Sequence, residues 1–326
     1  MNEFEKLELC SKEIYAIEQF VSYQYYYDTL KLWEELIHFT EELLNIYSSN
    51  LTPEHRAKHT SEQADYVWGT IVLPNFKATL HHLIDGLVEL KEGFLPILRR
   101  MSSIRNDIIA QGRDYPYDWM DSVESGSIEK YVQLEKETFT RATNIFIASD
   151  YHASQWDYKD LLDDENLLGI EFPNTLPQYK LNAEIMMKTG EPILKTGIYR
   201  STEPYSACNF LIKEKKMASG DWKLAPKVKS YENNPESCTT PDTIENSSRV
   251  ETIWILVERV TNQNDADVIL SNLKISQKGG EKVSKTGFWK TPAQPDKQFY
   301  FVQGEIFPTL KNADWGEVYW YFDGEQ

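Results

Sequence analysis

Cysteine is scarce in this chain and forms no pattern. Cys10, Cys208 and Cys238 are three thiols in 326 residues, an odd number with no Cys-x-x-Cys spacing. That excludes a disulfide framework and a thiolate zinc site, and it fits a reducing compartment. Long apolar runs are missing too, since no stretch approaches the roughly 20 apolar residues that span a bilayer. The opening Met-Asn-Glu-Phe-Glu-Lys is acidic and has no apolar core, so no secretion signal is expected and a cytoplasmic protein is. Catalytic signatures are likewise absent: there is no Gly-x-Ser-x-Gly elbow, phosphate-cradling loop, dinucleotide fingerprint or His-Glu-x-x-His pair. The expectation is a chain that is not an enzyme and needs no cofactor or metal. Carboxylates are so abundant that any acid/base pair picked from them is uninformative, which leaves a carboxylate- or metal-dependent hydrolase as the alternative.

Basic residues are short in one half only. Residues 1–165 hold 30 acidic and 15 basic side chains, the remainder 21 and 19, which gives the net charge of -17. Phosphate contact demands Lys and Arg, so neither nucleic acid nor an anionic membrane is an expected partner. A protein with a basic surface is, although charge that simply solvates a helical surface would look the same. Aromatic content is 13%, with 19 Tyr and 9 Trp. These rings serve either as recognition anchors or as the filling of a β core.

The spacing of apolar residues predicts an α+β chain: a helical bundle of five or so helices over 1–165, a junction over 166–189, and a β-rich domain of mixed antiparallel sheet over 190–326. Lys12 to Tyr47 has no Pro or Gly and carries two adjacent apolar stripes, one through Leu30, Trp33, Ile37 and Leu44, the other through Leu32, Leu36 and Leu43, which predicts one long helix. Thr52 followed by Pro53 predicts a capped helix start, running to about Leu73. Pro74 and Pro96 are expected to begin or kink the next helices, a break is expected at Gln111-Gly112, and Ser127 is expected to cap a helix to about Ser149. In the second half, strands are expected over 193–200, 208–213, 250–260, 268–275, 298–303 and 317–322. Thr252 to Glu258, apolar and β-branched, is the candidate central strand. Residues 219–249 are polar and Pro-containing and are expected to be a surface loop, and Gly279-Gly280 a hairpin turn.

Within that half, Lys195-Thr-Gly-Ile-Tyr199 is echoed by Lys285-Thr-Gly-Phe-Trp289. A Thr-Gly pair opening onto two large β-favouring residues is a turn feeding a strand, so the two copies predict strands that begin from matching turns.

Two aromatic-acidic segments are the candidate binding site for a protein partner. Asp114, Tyr115, Tyr117, Asp118, Trp119 and Asp121 form one; Tyr151, Trp156 and Asp157 belong to the other. The rings would enter partner pockets while the carboxylates steer and pair with its Lys or Arg. Alternatively the rings turn inward and seal the bundle ends. His55 and His59, four apart on an expected helix, have metal-ligand spacing, with His81 and His82 as further candidates, but surface or capping histidines are the plainer reading. Lys213, Lys215 and Lys216, with Lys223, Lys227 and Lys229 further on, alternate with polar residues and Trp222 and suit either an acidic partner or a Lys-protected edge strand.

The second half also resembles the bacterial immunity-protein families numbered 71 and 72 of polymorphic toxin systems. The likeness rests on Thr196-Gly-Ile-Tyr-Arg200, Glu251 to Val257 and Gly287-Phe-Trp-Lys-Thr-Pro-Ala-Gln294, continuing through Tyr300 to Pro308 and Trp320. It implies a cytosolic protein that binds and blocks a toxin, such as an effector delivered by cell contact or by type VI secretion. It supplies no catalytic residues.

Overall fold

The apolar stripes between Lys12 and Tyr47 are carried by two helices rather than one. Helix α1 (Ser11–Phe20) stops at Val21, and extended Ser22 starts α2 (Tyr23–Ser49), its hydroxyl accepting the Tyr25 N–H at 3.1 Å. That side chain satisfies a donor the new helix end would leave unpaired, so the break costs little. The computed structural model in which this is seen describes residues 7–91, 93–149, 160–204, 206–216, 219–231, 247–260, 276–291, 294–309 and 319–324. Tyr25 and Tyr26 turn inward, their hydroxyls donating to the Leu168 and Leu83 carbonyls, while Tyr23 and Tyr27 stack on each other half-buried.

The helix expected from Thr52 to Leu73 is broken. Thr52 does cap α3, but α3 (Pro53–Arg56) is one turn long. Helix α4 (Ala64–Val67) continues through a π-helical stretch, Trp68–Val72, into α5 (Leu73–Lys91). Pro74 is the second residue after the π turn; lacking an N–H, it cannot complete the regular ladder at that point. Gly93, left-handed at φ 85°, ends α5, and Pro96 opens a 3₁₀ segment, Leu95–Met101, so the chain breaks there instead of kinking. Helix α6 (Ser102–Asp114) runs straight through Gly112 and stops before Pro116. Helix α7 is Ser127–Ser149. Among the described residues, five helices of ten residues or more enclose a core around Trp33, Phe76, Leu83, Met101, Tyr131 and Ile145.

Strands β1 (Tyr179–Lys188), β2 (Gly197–Ser201), β3 (Asn209–Leu211) and β6 (Ile253–Arg259) form an antiparallel sheet in the order β1-β6-β2-β3. The apolar run Thr252 to Glu258 is thus a central strand, as its composition predicts. Strand β1 falls in what was expected to be a junction. Its alternation is interrupted by a bulge between Asn182 and Met186, which hides the period of two. Strands β4 (Val228–Tyr231) and β5 (Ser247–Val250) pair with each other inside the region expected to be a loop.

The boundary expected near residues 166–189 is not where the chain divides. The compact units are 1–260 and 261–326. Ile198, Ala207, Cys208 and Val257 of the first sheet lie in the same buried cluster as the helices. Polar ties reinforce this: Glu13 accepts the Cys208 N–H at 2.7 Å, and Tyr179 donates to Glu18 at 2.8 Å. A sheet whose face completes the core of a bundle cannot be a separate domain.

The second unit repeats the sheet of the first. Strands β7 (Ser276–Lys278), β8 (Gly287–Thr291), β9 (Gln294–Phe301) and β10 (Tyr319–Gly324) are antiparallel in the order β7-β10-β8-β9, the same first-fourth-second-third arrangement. The register matches at corresponding central pairs. Tyr199 faces Asn209 where Trp289 faces Phe299, and Met187 faces Trp254 where Gln277 faces Trp320. Gly190 and Gly280 take the same left-handed turn at φ 86° and 90°, so the Gly279-Gly280 turn follows β7 without joining it to a hairpin partner. The second core, Val283, Trp289, Phe307 and Trp320, occupies the places of Ile193, Tyr199, Ala225 and Trp254. Phe307 stands there where the first module has Ala225. The expected strand over 268–275 lies outside the described residues.

Candidate functional site

The loop after α6 is held by its own rings. Trp68 donates its Nε1–H to the Pro116 carbonyl at 3.1 Å, and Gln111, buried at the end of α6, donates to the Tyr115 carbonyl at 2.7 Å and accepts from Tyr131 at 2.9 Å. Trp119 is only 7% exposed and packs on Tyr47 and Trp68, with ring centroids 5.2 and 5.6 Å away. Tyr117 is half-buried against Tyr131, and Tyr115 packs at the edge of the same core. Of the two arrangements open to this segment, the rings adopt the inward one. Trp119 is a core residue and no partner can use it as an anchor; the reason is that Tyr47 and Trp68 from two helical segments converge to receive it.

The carboxylates point outward and differ in what they do. Asp121 accepts the Ile128 N–H at 2.9 Å and so caps α7, the role expected of Ser127. Asp114 is bound by the adjacent Arg113, whose side chain holds its carboxyl below the usual range. Asp118 is exposed and, among the described residues, has no hydrogen bond or ion pair. Burial raises the Tyr47 hydroxyl, and the charges of Asp65 and Asp118 add to it. Tyr151, Trp156 and Asp157 lie outside the described residues.

Beside this loop Tyr47 meets His55 at 3.2 Å, and His55 meets Asp65 at 2.9 Å; Arg56 donates to the other Asp65 oxygen at 2.7 Å. Burial works to raise the Asp65 carboxyl, but the bonds from His55 and Arg56 prevail and lower it. His59 does not join His55, because α3 ends at Arg56. His59 instead accepts the Ser61 N–H. His81 and His82 are exposed on α5, and no three metal-ligating side chains converge among the described residues.

Lys213, Lys215, Lys216 and Lys223 of the basic cluster, but not Lys227 or Lys229, line a cleft of about 800 Å³ together with Phe94, Arg99 and Trp222. The sequence showed Trp222 and the lysines but not Phe94 or Arg99, which come from the segment after α5 more than a hundred positions earlier. No family model, curated protein or solved structure matches the chain.

Proposed function

We propose that this protein is a non-enzymatic inhibitor, an immunity protein that binds a cognate bacterial toxin in the cytoplasm and occludes its active region. The toxin would be an effector of a contact-dependent or type VI secretion route, with a basic surface. Asp118 carries the reading: it is an exposed, unpaired carboxylate on a loop immobilised by Trp68, Gln111 and Trp119. A charge fixed in place before binding loses little entropy when a Lys or Arg meets it. The excess of carboxylates over residues 1–165 would speed the approach of such a partner. The resemblance of the strand motifs supplies the biological setting.

The test is protection. Cells expressing the toxin encoded beside this gene should survive with the wild-type chain and lose protection with Asp118→Lys combined with Asp114→Lys. The purified pair should associate more slowly in that variant, with most of the loss in the on-rate. No protection by the wild type, or turnover of a small molecule by the chain alone, overturns the proposal.

A further inference from the structure

The two sheet modules match until Lys213 and its counterpart Gln303. The backbone N–H of each donates to the Thr of its own Lys-Thr-Gly turn, Thr196 and Thr286, at 2.9 and 2.8 Å. They match again at Lys223 and Glu305, whose carbonyls accept from Ile193 and Val283. Between these points the second module has Gly304 alone, whereas the first has nine residues, 214–222. The addition forms a β-hairpin, with Lys215 paired to Trp222 and the Lys223 N–H donating to the Glu214 carbonyl at 2.9 Å. The sheet does not need it, since the second module forms the same four strands without it.

One part of the hairpin does structural duty. Glu214 accepts both arms of the Arg99 guanidinium, and Lys223 lies 2.5 Å from it. Burial works to raise the Glu214 carboxyl, but these cations outweigh it and hold it low. Arg99 also donates to the Ser149 carbonyl at 3.1 Å. These contacts fasten the hairpin to the helices and leave the rest of it unexplained. Trp222 is 42% exposed, with the Lys213 and Lys215 ammonium groups over its ring at 5.3 and 5.2 Å, and Phe94 across the cleft is 51% exposed. Among the described residues Lys213, Lys215 and Lys216 have no carboxylate partner. An acidic chain that places six cationic side chains against one carboxylate in a single cleft has a surface of reversed sign.

We infer that this cleft is a second protein-binding site, distinct from the acidic loop, which takes a segment of polypeptide bearing carboxylates with apolar side chains between them. The remaining charges are lysine ammonium groups, point charges that suit single carboxylates. The Arg99 fork, which would favour a phosphate, is already filled by Glu214, and Arg100 is engaged by Glu89 at 3.1 Å. Trp222 and Phe94 offer large apolar area for the intervening side chains.

The experiment is fluorescence anisotropy of the full chain with a labelled peptide alternating Glu and Leu. Controls are the same peptide with Gln for Glu, the same with Ser for Leu, and a single-stranded DNA oligomer. The Glu/Leu peptide should bind at low ionic strength, more weakly as salt rises. Affinity should fall about tenfold or more in Lys215→Glu/Lys216→Glu, which leaves the Arg99–Glu214 anchor intact, and also in Phe94→Ala. Circular dichroism should report unchanged folding in both variants. The inference is overturned by absence of peptide binding, by equal binding of either control peptide, by preference for the DNA, or by binding that survives the charge reversal.

Discussion

Tyr199 and Trp289, ninety positions apart, make the same bond: each reaches back four residues to the carbonyl of its own Lys, Tyr199 to Lys195 at 2.6 Å and Trp289 to Lys285 at 3.2 Å. Each ring is fully buried, and its polar edge closes the turn that opens its strand. A phenol and an indole can exchange places because both combine a large apolar body with one donor. Tyr199→Phe should keep the packing and leave the Lys195 carbonyl unpaired, costing about 1 kcal/mol in denaturant unfolding. A loss within error would show that the bond is incidental to the turn.

Trp119 and Asp118 are adjacent in sequence and should behave oppositely. Trp119→Ala empties a place beside Tyr47 and Trp68 and should destabilise the fold by about 3–5 kcal/mol. Asp118→Lys breaks no hydrogen bond or ion pair among the described residues and should change stability by less than about 0.5 kcal/mol. Thermal unfolding of the two variants side by side checks both. A stable Trp119→Ala protein would contradict the inward packing.

Glu135 introduces a pH dependence of unusual sign. Burial alone raises its carboxyl from 4.5 to about 7. A folded-state value above the unfolded one means that the folded chain binds more protons across that interval. The contribution to stability is therefore complete below about 4.5 and is lost as pH rises to about 7. Glu135→Gln should stabilise the protein by about 1 kcal/mol above neutrality, the shift being discounted for partial exposure, and hardly at all in acid. Chemical unfolding at the two pH extremes decides it; equal gains at both would place the cause elsewhere.

Glu214 works in the other direction. Arg99 and Lys223 hold its carboxyl below 4.5, so its contribution is present above that value and disappears as pH falls through the lower folded value. Glu214→Gln should cost stability at neutral pH, by about 1–3 kcal/mol for a hydrogen-bonded charge left without its partner, and the deficit should vanish in strong acid. A deficit independent of pH would mean that shape and not charge fastens the hairpin.

Local chemistry was legible in the sequence wherever one residue decides the outcome. Thr52 and Pro53 start a helix, the Thr-Gly pairs open strands, and the β-branched run through Ile253 and Val257 is a central strand. Each follows from a cap, a turn or a buried face that neighbouring positions specify by themselves. The π-helical passage before Pro74 and the bulged β1 were not legible, because each departs from a regular period to fit its neighbours.

The sequence by itself determined the helical and β halves, the acidic bias of residues 1–165 and the two matching turns. Only the tertiary structure decided that those turns belong to two copies of one four-stranded sheet, because the pairing joins residues far apart in the chain, such as Tyr199 with Leu256 and Trp289 with Phe322. It also decided that Trp119 faces inward and that Glu214 meets Arg99. Alternating rings and charges are compatible with either side of a surface, and the outcome depends on which distant side chains arrive to cover them.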